Sequence, residues 1–257
     1  MICYPSPQNT VPLIIAGLPR SGTRFITNVL NAVPGVTIQS EIPRPVIKIF
    51  KHLIETCETV YSHKPEKNWA ASWDATKRDF MYAGWANLTK SARKKSKPET
   101  LFYGYKTPGH EFYFDFYNSF FDPIQPKYVC SVRSFVDHFL SVQARWPRRN
   151  IRKVSIDYIQ SLRQIRYMKK QKPNDVLLFI LDDYKEAGTH YLHKQLFEPL
   201  GLENVAAAEH MASKGAVNTA SQHGVQRKED LSVSQKLFLK MSPRLLREFD
   251  ELRANYG

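Results

Sequence analysis

The chain has 257 residues, 42% of them hydrophobic, which is enough for one sizeable α/β domain or two small ones and too apolar for a disordered chain. Its longest clean apolar run, around Leu13 to Ala16, falls far short of the ~20 residues that cross a bilayer, and no basic segment followed by an apolar stretch opens the chain, so neither a membrane span nor secretion is expected. The balance of 37 Lys+Arg against 24 Asp+Glu leaves a net charge of +13, which calls for an anionic partner.

In chain order, Pro12 to Ala16 reads as a buried strand and Gly22 to Ala32 as a helix. Val36 to Ile38 is a short strand, followed by a helical pattern over Pro45 to Val60. Leu101 to Lys106 is a weaker, aromatic strand containing Gly104, and Lys127 to Val132 is a strong one. Helices are predicted over Phe135 to Arg145 and Ser155 to Lys170, a strand over Val176 to Leu181, and a helix over Thr189 to Leu200. Ser232 to Asn255 reads as two helices broken near Pro243. Apolar runs of this length between helical patterns are the signature of strands buried on both faces. The alternation predicts a single α/β domain over residues 1–257, a three-layer sandwich with a central parallel sheet. No repeat, low-complexity tract or linker divides it. Cys3, Cys57 and Cys130 are far apart and odd in number, which argues against a disulfide framework or a zinc site and for the reducing cytoplasm.

Sheets of this kind bind ligands at the carboxyl ends of their strands. The first strand runs directly into Gly17-Leu18-Pro19-Arg20-Ser21-Gly22-Thr23-Arg24 and then into a helix. Backbone N–H groups at Ser21, Gly22, Thr23 and Arg24 would converge on one anion, helped by the positive end of the helix dipole. A nucleoside triphosphate loop reads GxxxxGK[ST]. Here Gly17 and Gly22 have that spacing, but Thr23 stands in the Lys position and Arg24 in the Ser/Thr position, which displaces the lysine and removes the magnesium-holding hydroxyl. Taken alone, the segment is open between an anion cradle and a plain glycine turn.

Pro19-Arg20-Ser21-Gly22-Thr23 resembles the 5′-phosphosulfate loop of sulfotransferases that use 3′-phosphoadenosine 5′-phosphosulfate (PAPS). A second segment is similar to the same family: the strand Tyr128 to Val132 followed by Arg133 and, eight positions later, Ser141, the pair that grips the donor's 3′-phosphate in that family. Tyr105-Lys106-Thr107-Pro108 looks like the family's strand-end lysine segment. Asp183-Tyr184-Lys185 and Pro199-Leu200-Gly201-Leu202 resemble later segments, and Leu245 to Phe249 the closing helix. The resemblance spans about Val11 to Asn255.

The resemblance implies the following chemistry. Arg20, Ser21, Gly22, Thr23, Arg24, Arg133 and Ser141 bind the donor; Tyr184 and, in a Lys214-Gly215 pair, Lys214 complete the nucleotide site. Arg20 and Lys106 stabilise charge on the sulfuryl group and the departing phosphate. The cytosolic branch places a catalytic histidine where this chain has Pro108, so that base is excluded. The spacing from Arg20 to Glu41 matches the protein-tyrosine branch, which points to Glu41 as base, with His110 as the alternative. No metal is required, and Asp182-Asp183 reads as a loop start.

Three functions follow in order: a PAPS-dependent O-sulfotransferase, a P-loop kinase for a small molecule, and a non-catalytic nucleic-acid-binding protein. The third rests on Trp146 among Arg145, Arg148 and Arg149, a pattern that single-strand binders share. The acceptor is read first as a carbohydrate or glycolipid, because two basic stretches carry the charge excess. Arg145 to Lys172 holds ten basic residues and one acid, and Ala83 to Pro98, which includes Lys90 and Lys97, holds five and none. A tyrosine in an acidic peptide, contacted by Arg44, or a small alcohol held by the aromatics of Phe112 to Phe121, stand as alternatives.

Overall fold

The computed structural model describes residues 10–63, 73, 77, 84, 100–121, 125–214 and 230–257. Cys3, Gly215 and the basic residues Lys90 to Lys97 lie outside them. Five strands form one parallel sheet in the order β2-β3-β1-β4-β5: β1 (Val11–Gly17), β2 (Val36–Gln39), β3 (Phe102–Lys106), β4 (Lys127–Val132) and β5 (Val176–Ile180). β1 is central, and its Leu13, Ile14, Ile15 and Ala16 are completely buried.

Helices with described bounds are α1 (Thr23–Asn31), α2 (Arg44–Ser62), α3 (Phe114–Phe121) after a 3₁₀ turn at His110–Tyr113, α4 (Phe135–Arg145), α5 (Ile151–Gln171), α6 (Leu181–Ala187), α7 (Thr189–Leu192), α8 (Ala206–Ser213), α9 (Val233–Lys240) and α10 (Pro243–Tyr256). Connections between parallel strands are right-handed. From β1 the chain crosses toward β2, and from β4 it crosses the other way, toward β5, so α1 and α5 cover opposite faces. α8 packs on α1, and α10 on α5. Neighbouring strands β1 and β4 thus send their chains in opposite directions, which opens a crevice at their carboxyl ends.

The register places the functional strand ends at one rim. Ile15 pairs with Lys106, Gly17 with Ser131, and Val132 with Ile180. The aromatic run is mostly core: Phe114, Phe116, Tyr117 and Phe121 are buried, while Phe112 is exposed.

Several boundaries differ from the sequence reading. α5 begins at Ile151, because the Asn150 side chain accepts from Arg152 N at 2.8 Å and caps the helix there. The predicted Thr189–Leu200 helix is a short helix followed by a π-helical turn at His193–Phe197. Asp182 and Asp183 are the first turn of α6 and not a loop, since β5 passes straight into a helix at Leu181. Acids in a first turn suit the helix dipole, and both have structural work: Asp182 Oδ2 accepts from Ser134 N at 2.6 Å, and Asp183 pairs with Arg253 at 2.6 Å.

Candidate active site

The loop after β1 is held in an unusual backbone shape. Gly17 has φ 103° and Gly22 φ 99°, and Arg20 adopts φ 67° although it carries a side chain. A non-glycine residue held there costs on the order of 1–3 kcal/mol and marks a conformation imposed by its surroundings. The surroundings are visible. Leu18 N donates to Ser131 O at 3.0 Å. The Ser21 hydroxyl lies 2.5 Å from Leu18 O and 2.8 Å from Ser131 O, and Ser131 Oγ donates to Ser21 O at 2.6 Å. The completely buried Ser21 therefore spends its hydroxyl on shaping the loop against β4. Its N–H turns to Leu18 O at 3.4 Å.

The backbone amides left open at the loop are consequently those of the α1 amino terminus. The helical ladder starts at Ile26 N, which donates to Gly22 O at 3.0 Å, so the preceding amides have no intrahelical acceptor. The cap residue is Gly22, with no side-chain cap hydrogen bond. A helix end without a capping side chain, opening at the rim, is a cradle for a phosphate-like group.

Gly17 also has no room for a side chain: an added Cβ would lie 2.3 Å from Ser131 O. Gly17→Ala combines that collision with an unfavourable φ, a loss of at least about 2 kcal/mol. In a chain of this size the melting temperature is expected to fall by about 4–8 °C, measured by calorimetry; an unchanged melting temperature would contradict the loop geometry.

The two motifs that the sequence keeps more than a hundred residues apart meet at one point. Arg20 Nε donates to Ser141 Oγ at 3.3 Å, and Arg133 Nη1 donates to Arg20 O at 3.4 Å. Arg133 is buried, pairs with Asp137 at 3.1 Å through Nη2, and leaves its buried Nε without a partner among the described residues. An unpaired buried guanidinium nitrogen is costly and points to a missing acceptor. Burial, then the charges of Arg145 and Arg133, push the Arg20 guanidinium down from its usual value. Burial, then Arg133, push His138 down to about 3, so His138 stays neutral and adds no charge. Arg133 and Arg145 thus add their charge to that of Arg20, an arrangement able to hold a multiply charged anion.

On the other side of the loop, Lys106 Nζ donates to Glu41 Oε1 at 2.5 Å. The lysine side chain is 9% exposed and the glutamate 59%, so the pair has a buried cationic root and an accessible carboxylate tip. Thr107 makes the meeting: its Oγ1 accepts from Ile42 N at 2.9 Å and lies 3.2 Å from Ile42 O, pinning the β2–α2 loop beside the end of β3. His110 is completely buried, with Nδ1 2.6 Å from the Tyr105 hydroxyl and 3.3 Å from that of Tyr117.

Among the remaining expected site residues, Arg24 is exposed and Thr23 buried at the start of α1. The Tyr184 ring lies 4.6 Å from that of Phe25, and its hydroxyl donates to Ala212 O at 3.3 Å, which ties α6 to α1 and α8. Lys214 is an exposed residue capping α8.

Two participants escaped the sequence. Glu111, 1% exposed, accepts from Gly17 N at 3.0 Å with Oε2 and from Ser161 Oγ at 2.5 Å with Oε1, bracing the root of the loop against α5. Arg145, counted with the basic stretch, belongs by position to the cation cluster around Arg20; it lies one helical turn beyond Ser141. Among the described residues no group of His, Cys, Asp and Glu is arranged to hold a metal, and no helix is long and apolar enough to cross a membrane.

The sulfotransferase family model matches residues 12–176, which includes the loop, Glu41, Lys106, Arg133 and Ser141. The chain belongs to the sulfotransferase family. No curated protein matches it significantly. Among solved structures it is similar to the sulfotransferase domain of the olefin synthase from Synechococcus PCC 7002, at 16% identity over 84% of each chain with a TM-score of 0.47. It is also similar to the sulfotransferase STF9 from Mycobacterium avium, at 12% identity over 85% of this chain and 70% of the other, with a TM-score of 0.47. Within this sulfotransferase the matched region ends at β5, so α6 to α10 lie beyond it.

Proposed function

We propose that this sulfotransferase moves a sulfuryl group from PAPS to an acceptor hydroxyl. The observation that carries the proposal is the contact between Arg20 and Ser141 with Arg133 alongside: a loop suited to the donor's 5′-phosphosulfate stands next to a buried arginine suited to its 3′-phosphate. In this reading the amides of Gly22, Thr23 and Arg24 receive the 5′ group. Arg133, with its spare Nε, Ser141 and Arg145 receive the 3′-phosphate, and Tyr184 and Lys214 flank the nucleotide. Glu41 takes the acceptor proton, because its tip is accessible whereas His110 is sealed among tyrosines. The acceptor oxygen then forms a bond to sulfur as the bridging bond to the 5′-phosphate breaks, the electron pair leaving on adenosine 3′,5′-bisphosphate. Arg20 and Lys106 stabilise the charge gathering on the bridging oxygen and the sulfuryl group, as fixed cations do in related phosphoryl transfers. The acceptor is a carbohydrate or glycolipid hydroxyl, supported by the basic surface beside the site.

Ligand-linked stabilisation tests the donor. Adenosine 3′,5′-bisphosphate at a hundred times its dissociation constant stabilises by about 2.7 kcal/mol, an increase of about 5–10 °C in melting temperature, without added metal. ATP with magnesium should give a much smaller shift, because Thr23 replaces the P-loop lysine. The reverse preference would favour a kinase.

A further inference from the structure

The basic stretch Arg145 to Lys172 is not one surface. Most of the cations of its second half are spent on ion pairs and hydrogen bonds within the protein. Arg163 and Arg166 pair with the buried Glu248 at 2.8 and 3.2 Å, and Arg166 also with Glu251 at 3.2 Å. Lys169 Nζ donates to Pro173 O and Val176 O, both at 2.8 Å, and Lys172 donates to Gln125. These residues fasten α5 to α10 and to the start of β5. The first half behaves differently. Arg145, Arg148, Arg149, Arg152 and Lys153 are all exposed, and their acidic neighbour Asp157 reaches Arg149 at a distance of 3.9 Å.

The same segment is ordered by hydrogen bonds and lies beside the arginines Arg20 and Arg133. Arg149 N donates to Trp146 O at 2.9 Å and Asn150 caps α5, so the turn has a defined shape. Arg145 acts on Arg20. Tyr158 donates to Arg133 O at 2.8 Å, and Lys153 stands five residues before it, about 7.5 Å along the helix axis. Trp146, between Arg145 and Arg148 in the chain, is 43% exposed.

We infer that the α4–α5 turn is a docking surface for an anionic polysaccharide, whose charged sugars lie along Arg148, Arg149, Arg152 and Lys153 while one hydroxyl of the chain reaches Glu41. This deepens the proposed transfer reaction and rests on it for the word acceptor. Arginine forks suit carboxylate and sulfate groups on neighbouring sugars, and one exposed indole offers a flat face for a pyranose. A single-strand nucleic-acid site would present several aromatics for successive bases, and this turn presents one. A peptide would be expected to find an open strand edge or an apolar groove, and the turn offers neither.

The test uses heparin and single-stranded RNA as probes, with poly-glutamate as a third, on wild-type protein and two triple variants. Arg148→Ala/Arg149→Ala/Arg152→Ala removes the turn cations while leaving Arg145 in place. Lys48→Ala/Lys170→Ala/Lys194→Ala removes an equal charge from exposed positions elsewhere. The expected result is a loss of about tenfold or more in heparin affinity for the turn variant and less than about threefold for the other, at a constant ionic strength of about 0.15 M. Both variants should melt within about 2 °C of wild type, since surface changes of this kind are usually small. Equal losses in the two variants, or no loss in the turn variant, overturn the docking surface, as does tighter binding of RNA or poly-glutamate by the wild type at the same salt. Adenosine 3′,5′-bisphosphate is titrated in parallel. If it fails to stabilise the wild type while the turn variant alone loses heparin, the donor reading falls and the docking surface stands.

Discussion

Glu41→Gln is expected to lower the rate of sulfuryl transfer by about 10²–10⁴, the range a positioned general base contributes, and to leave the dissociation constant for adenosine 3′,5′-bisphosphate unchanged. The geometry makes this substitution a clean one. Glu41 is attached to the fold through its backbone, by the two contacts of Thr107 with Ile42, and its accessible side chain touches Lys106. A glutamine amide oxygen can still accept from Lys106, so the loop and the lysine keep their places while the group proposed to take the acceptor's proton disappears. The measurement is single-turnover transfer from labelled PAPS with a hydroxyl acceptor, alongside calorimetric titration with the bisphosphate. Wild-type turnover in the variant would remove Glu41 from the mechanism; weakened nucleotide binding with normal single-turnover chemistry would move it to the donor site.

Arg133→Ala is expected to weaken adenosine 3′,5′-bisphosphate binding by about 30- to 200-fold, corresponding to about 2–3 kcal/mol for a charge-assisted interaction lost from a buried position. Affinity for adenosine 5′-phosphate should stay nearly constant, because Arg133 faces the 3′ group in the proposed pose. The arginine is buried yet its removal need not unfold the protein. Asp137 keeps a second cation, Lys185, at 3.6 Å, and the main-chain oxygen that receives Tyr158 is retained. Equal losses for the two nucleotides would indicate that Arg133 supports the loop through Arg20 O and does not read the 3′-phosphate.

The parts of the site that the sequence displays are those whose meaning is local. The passage from β1 through Gly17 and Gly22 into α1 is continuous, and the eight-residue interval from Arg133 to Ser141 lies within one strand end and one helix. What remained hidden depends on partners distant in the chain. Glu111 looks like any acid in an aromatic segment until Gly17, 94 residues earlier, and Ser161, 50 residues later, close on its two oxygens. Arg145 is indistinguishable in a run of cations from Arg163, yet one joins the arginine cluster and the other a buried glutamate. Ser21, whose backbone N–H the sequence reading places at the anion, directs that N–H toward Leu18 O at 3.4 Å and its hydroxyl to Ser131 and Leu18, partners that only strand neighbours reveal. The Thr189–Leu200 pattern has helical spacing throughout, and spacing alone does not separate an α-helix from the wider turn that Glu198 N closes onto His193 O at 3.0 Å.

The Glu111 brace also bears on the order in which the chain acquires its working parts. Gly17 belongs to the first strand made, but the carboxylate beneath it is steadied by a serine in the middle of α5. Closing contacts over such separations comes at an entropic cost that local structure must first offset. A growing polypeptide made as far as Asn150 would hold four of the five described strands, the loop after β1 and the Arg133–Ser141 segment, yet lack the helix that steadies the loop. The support beneath the loop is therefore completed only once α5, which brings Ser161 to Glu111, has been made.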